Sequence, residues 1–238
     1  MRDPNPSMTG EWQAWHRSYD QDPTMVARLR AVQDRIREAL DRCPPGPVRV
    51  ISACAGDGRD LLGAVVGHPR APDVRARLVE LTPELVASGR ERATRERLVG
   101  IEFRQGDAST TSAYAGAVPA DIVLLCGIFG NIPDRDVRAT IGHLPELCAE
   151  RATVIWTRGR FAPDLTPTIR RWFADTGFEE LSFVTIAGST KSVGAHRLVI
   201  APRTYRPDVT LFTFLPEGER PSSLAQATRS PRAGTPEP

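Results

Sequence analysis

Lysine is almost missing from this chain. Lys191 is the only one, so the 31 basic residues set against 29 acidic ones are nearly all arginine, and the formal charge of +2 is close to balance. Arginine alternates with acid, as in Arg90-Glu91-Arg92 and Arg95-Glu96-Arg97. That pattern describes a solvated helix face and not a basic stripe, so no nucleic-acid partner is expected. Cysteine is equally sparse. Cys43, Cys54, Cys126 and Cys148 form no C-x-x-C pair and have no histidine at ligand spacing, which argues against a zinc site or a disulfide framework. No run reaches the ~20 apolar residues of a membrane span, and the start, Met1-Arg2-Asp3-Pro4-Asn5-Pro6, lacks the apolar stretch of a signal peptide. The expectation is a cytoplasmic protein with no membrane partner and no metal. Nothing chooses between monomer and homodimer.

A chain of 238 residues can hold one large domain and bury roughly 70% of its unfolded surface, so it needs no covalent staples. Three regions differ in composition. Residues 1–47 read as a short disordered start followed by helix: Trp12, Trp15 and Tyr19 lead, then Met25, Leu29, Val32, Ile36 and Leu40 recur at three- and four-residue steps. That spacing lays an apolar stripe along one helix face and leaves Arg28, Arg35 and Glu38 for solvent. Pro44-Pro45-Gly46-Pro47 ends the helix.

Residues 48–202 alternate strand and helix. Strands are expected at Val48 to Ala53, Arg77 to Leu81, Ile101 to Gln105, Asp121 to Cys126, Thr153 to Thr157, Glu180 to Ile186 and His196 to Ala201. Helices are expected from Leu61, from Pro83 to about Arg97, from Asp134 to Cys148 and from Pro167 to Thr176. Strands separated by helices imply an α/β, doubly wound, mostly parallel seven-stranded sheet. The last two strands have no helix between them and should pair antiparallel across the Gly188 to Gly194 loop. Residues 203–238 form a C-terminal extension in which Val209 to Leu215 could add an edge strand. Beyond about residue 220 the composition is that of a disordered tail.

The chemistry concentrates at strand ends. The turn Ser52-Ala53-Cys54-Ala55-Gly56-Asp57-Gly58-Arg59-Asp60 follows the first strand. Ligands of open α/β sheets bind at the carboxyl ends of the strands, and glycines there let the backbone approach closely. Glu80 ends the second strand, 22 residues past Gly58, where a carboxylate can accept both hydroxyls of a ribose. Asp107, in Gly106-Asp107-Ala108, ends the third, where a carboxylate can accept from an adenine amino group. Each acid alone is also readable as a turn or cap residue. The three together describe an adenosine site. A nicotinamide cofactor is disfavoured, because the G-x-G-x-x-G fingerprint fails from Gly56, which leads to Leu61, and from Cys54, which lacks the first glycine.

Taken with Asp121-Ile122-Val123-Leu124-Leu125-Cys126-Gly127, these segments resemble the successive motifs of class I S-adenosylmethionine-dependent methyltransferases over residues 48–202. The resemblance implies a Rossmann-like domain under an N-terminal helical lid, with S-adenosylmethionine as cofactor and S-adenosylhomocysteine as product. It implies that Ala53, Cys54, Gly56, Asp57 and Gly58 lie against the methionine portion, with Cys126 and Gly127 completing the cofactor site. Glu80 would hold the ribose and Asp107 the adenine amino group, with Leu81 and Ala108 flanking the ring. The chain departs from the family in having Ser52 where an acid is usual and Cys54 where glycine is usual. Either Asp57 or Asp60 compensates, or cofactor binding is weaker.

The acceptor is expected to be a small molecule, since the chain carries no nucleic-acid module and no Asn-Pro-Pro-Tyr type motif after the fourth strand. Phe129 and Asn131 from Gly127-Ile128-Phe129-Gly130-Asn131, and Trp12 from the lid, are the candidates to face it. Asn131 is equally readable as a helix cap. Methyl transfer from a sulfonium gains chiefly from orientation, with or without a base, so no catalytic residue declares itself. His16 as base and Tyr19 at the cofactor carboxylate are the candidates, with simple packing as the alternative. Two other readings stay open: another transfer or cyclisation chemistry on the same sulfonium, and a non-catalytic cofactor-binding protein.

Overall fold

The computed structural model describes residues 22–216, 219 and 220. The lid candidates Trp12, His16 and Tyr19 and the tail expected from its composition lie outside these residues. Helix α1 spans Pro23–Arg42. It starts where Asp22 accepts the backbone N–H of Thr24 at 2.8 Å, with Pro23 in the first turn where a missing donor costs nothing. It stops before Pro44-Pro45. Val32, Ile36 and Leu40 are fully buried, as their spacing requires. Arg28 is not on the solvent face; it is only 5% exposed.

The remaining elements are β1 (Val48–Ala53), α2 (Arg59–Val65), β2 (Val74–Glu80), α3 (Pro83–Arg95), β3 (Ile101–Gln105), β4 (Ala120–Leu125), α4 (Asp134–Leu147), β5 (Cys148–Gly159), α5 (Thr166–Asp175), β6 (Phe178–Thr185) and β7 (Lys191–Leu198). The seven strands form one sheet in the order β3-β2-β1-β4-β5-β7-β6. β7 runs antiparallel to both β5 and β6, and the other neighbouring pairs are parallel. The expected sheet is the observed one.

Period-two alternation divides the strands between two apolar layers. Val50, Leu78, Ile122, Leu124 and Ile155 face α1, α2 and α3 through Ile36, Leu62 and Val86. Ile51, Val79, Val123, Leu125, Val154 and Trp156 face α4 and α5 through Val137, Ile141, Ile169 and Phe173. Strand order reverses between β1 and β4, which opens the crevice where ligands of such sheets bind.

Beyond end shifts of one to three residues, three differences from expectation stand out. β5 begins at Cys148, because Ala120 pairs with Cys148 before the register shifts and resumes at Ile122 with Thr153. β7 begins at Lys191, since Lys191 to Val193 pair with β5; His196 therefore stands inside the strand instead of opening it. Residues 209–215 add no strand. Only an isolated bridge, Thr110 with Thr210, forms, because the segment turns its backbone donors to loops: Leu211 to Ser109 and Leu215 to Asn131.

Candidate active site

The turn from β1 to α2 needs residues that tolerate a left-handed backbone: φ is +51° at Cys54, +58° at Gly56 and +73° at Gly58. At Gly58 a β-carbon would also sit 2.6 Å from the Phe103 ring, so both conformation and space demand glycine. Cys54 adopts this region with a side chain, at the position where the resemblance calls for glycine.

Glu80 ties three strand ends together. Its Oε2 accepts the Gly56 N–H at 2.8 Å and its Oε1 accepts the Thr82 N–H at 2.9 Å. Its backbone carbonyl accepts from Gly106, at the end of β3, at 2.9 Å. The side chain is buried, yet each carboxylate oxygen has a second lone pair for a hydroxyl donor. Leu81, next in the chain, leaves 49% of its surface exposed, an apolar face on the rim of this crevice. Asp107 folds its turn by accepting the Ser109 N–H at 2.8 Å. Ala108 is buried, and its carbonyl accepts from the Tyr114 hydroxyl at 2.8 Å. Burial pushes the Cys54 thiol well above its usual range, and the charges of Glu80 and Asp107 add to the effect. Cys54, Glu80 and Asp107 thus share one electrostatic neighbourhood at the ends of β1, β2 and β3. The remaining turn acid, Asp57, is held by Arg59, with Nη2 to Oδ2 at 2.7 Å and Nε to Oδ1 at 2.9 Å.

A second polar cluster lies at the ends of β4 and β5. Thr157 Oγ1 accepts the Gly127 N–H at 2.8 Å and Arg28 Nη2 at 2.7 Å. Burial, above all, raises the Cys126 thiol pKa, and its neighbour Asp60 reinforces the shift. Burial likewise raises the pKa of Asp60, against the opposing charge of Arg28 and a hydrogen bond from Cys126. Arg28 and Thr157 were not legible as site residues. Their signal was an arginine on the edge of an apolar helix face and a threonine closing an apolar strand, both common as surface features.

The loop after β4 holds its side chains inward. Phe129 is fully buried with its ring centroid 5.8 Å from that of Trp156, and Arg158 donates to its carbonyl. Asn131, 9% exposed, closes the loop by donating Nδ2 to the Gly127 carbonyl at 2.6 Å. Here Phe129 is a core residue and Asn131 a loop brace, and neither presents the open surface expected of an acceptor contact. The periodicity of so short a glycine-rich stretch carries no information on which way a ring turns. His68 stands 3.3 Å from Asp41 and His143 3.1 Å from Glu146. His196 is buried against Trp156 and Phe173. Among the described residues no cluster of His, Cys, Asp and Glu could hold a metal ion, and no helix is long and apolar enough to cross a membrane.

A family model described as "Putative methyltransferase" matches residues 25–175. The chain belongs to this methyltransferase family. The match runs from α1 to the end of α5 and so includes both polar clusters. The fold agrees: magnesium protoporphyrin IX methyltransferase from Synechocystis, solved with bound SAM, superposes with a TM-score of 0.61 at 16% identity, over 79% of this chain and 91% of that one. The CurJ carbon methyltransferase gives 0.62 at 13% identity, over 81% of this chain and 59% of that one. An O-methyltransferase family protein from Burkholderia thailandensis gives 0.58 at 18% identity, and this methyltransferase spans 59% of its length. Among curated proteins none matches the sequence.

Proposed function

We propose that this methyltransferase uses S-adenosylmethionine to methylate a small molecule by direct in-line transfer. The observation that carries the reading is the junction at Glu80, where one buried carboxylate joins the β1 turn to the end of β2 and its backbone joins the end of β3. The residues present suit the cofactor. Glu80 has lone pairs for two ribose hydroxyls, Asp107 is an acceptor for the adenine amino group, and the exposed face of Leu81 suits an aromatic ring. Ala53, Cys54, Gly56, Asp57, Gly58, Ala108, Cys126 and Gly127 complete the proposed cofactor site. When bound, the cofactor supplies a methyl group on a positively charged sulfur. The chain's part is to orient that group and exclude water.

The domain reading that accompanies this function has residues 1–47 as a helical lid, with Trp12 facing the acceptor, His16 as the candidate base and Tyr19 at the cofactor carboxylate, residues 48–202 as the catalytic domain and residues 203–238 as an extension. A small-molecule acceptor is supported by the fold neighbour from Synechocystis, a magnesium protoporphyrin IX methyltransferase, and by the even mixing of arginine with acid along the sequence.

Thermal melting of the purified protein with S-adenosylmethionine, S-adenosylhomocysteine and NADH tests the reading. A ligand at ~100 times its dissociation constant adds ~2.7 kcal/mol to stability, a rise of roughly 5–10 °C for a chain of this length. Stabilisation by the two sulfur compounds alone is expected. Stabilisation by NADH alone, or by none of the three, would overturn it.

A further inference from the structure

The one lysine of the chain stands at the start of β7, where Lys191 pairs with Gly159 at the end of β5. Its ammonium donates to Thr24 Oγ1 at 2.6 Å and to Asp22 Oδ2 at 3.2 Å, so it holds both the cap and the first turn of α1. The Thr24 hydroxyl in turn donates to Asp22 Oδ1 at 2.7 Å, which closes the contact on itself. One helical turn further along, four residues after Thr24 and on the same side of α1, Arg28 donates to Thr157 Oγ1 at 2.7 Å. Thr157 lies two residues before Gly159 on β5, hence on the same face of the sheet. Its partner on β7, Val193, is buried in the apolar layer that α1 covers. The helix is therefore fastened to the β5 and β7 pair at two points one turn apart.

The second fastening reaches the crevice. Thr157 Oγ1 also accepts the Gly127 N–H at 2.8 Å, and the Gly127 carbonyl accepts Asn131 Nδ2 at 2.6 Å. With two donors aimed at it, that hydroxyl oxygen has both lone pairs engaged, so a shift of Arg28 disturbs the turn that leaves β4. In the sheet, β4 and β5 lie across β1 from β2 and β3, whose ends carry the proposed adenosine contacts. The Gly127 turn thus borders the amino-acid half of the cofactor. Resting on the cofactor reading above, we infer that Lys191 is a positioning residue for that half: it fixes the first turn of α1, thereby Arg28, and through Thr157 the Gly127 turn. An ammonium suits the task, because its three donors serve Asp22 and Thr24 from a single atom.

Titration calorimetry on the full chain tests this, with S-adenosylhomocysteine and with methylthioadenosine, which lacks the amino-acid half. Lys191→Met keeps the stem and removes the donors. The ion pair with Asp22 is partly exposed, and such pairs add little to stability, so the variant should fold. It should bind S-adenosylhomocysteine at least fivefold more weakly than the wild type and methylthioadenosine within twofold. Lys191→Arg, which keeps a cationic donor, should bind both ligands within twofold of the wild type. In a Thr157→Val background, where Arg28 has lost its anchor, Lys191→Met should cost less than twofold, because the two residues act along one chain of contacts. Unchanged affinity in Lys191→Met, an equal loss for both ligands, an arginine variant as weak as the methionine one, or a fivefold loss that persists in the Thr157→Val background would each overturn the inference. Failure of the wild type to bind either ligand would overturn the adenosine site itself, and this inference with it.

Discussion

The hydroxyl of Thr140, fully buried in α4, shares its single proton between the Asp136 carbonyl of its own helix at 2.7 Å and the backbone carbonyl of Leu211 at 2.8 Å. The latter bond stitches a segment beyond the last strand onto the outer helical layer. Around it Leu211 and Phe212 are buried, Thr213 donates to Asp136 at 2.9 Å and Leu215 donates to the Asn131 carbonyl at 2.9 Å. The segment is therefore a wall of the domain and a brace for the loop after β4. Deleting residues 203–238 is expected to abolish cooperative thermal unfolding. Leu211→Ala should cost about 2–5 kcal/mol, the usual range for emptying a core leucine site, read from the midpoint of denaturant unfolding. A deletion that melts like the full chain would show the catalytic domain complete without the segment.

Glu80 and Asp107 should separate in their effects. Glu80 accepts two backbone N–H groups inside the protein, whereas Asp107 accepts one on an exposed turn. Glu80→Ala leaves the Gly56 and Thr82 donors without partners, so a stability loss of about 1–3 kcal/mol should accompany a cofactor affinity lowered more than tenfold. Asp107→Ala should lower affinity with less than about 1 kcal/mol of destabilisation. Calorimetric titration with S-adenosylhomocysteine and denaturant melts check both, and unchanged affinity in both variants would remove the adenosine-site assignment.

Cys54 offers a test of backbone strain. Its φ of +51° costs an L-residue roughly 1–2 kcal/mol relative to glycine. At an ordinary position glycine is less stable than alanine by ~0.5–1 kcal/mol. Here the order should invert: Cys54→Gly should be more stable than Cys54→Ala by about 1 kcal/mol, since both lose the same half-buried thiol and only glycine relieves the turn. Paired melting curves decide it, and alanine matching or exceeding glycine would mean the turn carries no such strain.

The sheet could be read from the sequence because its determinants are local and periodic. The apolar run at Asp121 to Cys126, the helical stripe at Val32, Ile36 and Leu40, and the missing helix before β7 each forced one placement. The Glu80 position was legible for the same reason, as a charge at the end of an apolar strand. The pairing of Arg28 with Thr157 was not, because a buried polar side chain and an exposed one look alike in sequence and only the packing of α1 on the sheet separates them. The direction of the Phe129 ring was hidden for a related reason: after Gly127, at φ +80°, the ring packs against Trp156, and no periodicity encodes that turn.

His196 should make the fold acid-sensitive. Its ring is stacked on Phe173, with centroids 4.3 Å apart, and its Nδ1 accepts from Trp156 Nε1 at 3.1 Å. Burial lowers its pKa from 6.5 to about 4, with the Glu180 carboxylate opposing that shift and Arg170 adding to it. The folded protein therefore resists a proton that the unfolded chain accepts below about pH 6.5. Stability is retained above the unfolded pKa and falls as pH drops from 6.5 toward 4, by up to about 3 kcal/mol across that window. The hydrogen bond from Arg170 holds the Glu180 pKa below the usual carboxylate value. His196→Phe removes the titration but leaves Trp156 Nε1 without an acceptor, so the variant should start less stable at pH 7. Its stability should then be flatter than that of the wild type from pH 6.5 to 4. Denaturant midpoints at half-unit steps would show it; parallel curves for the two proteins would assign the acid sensitivity to other groups.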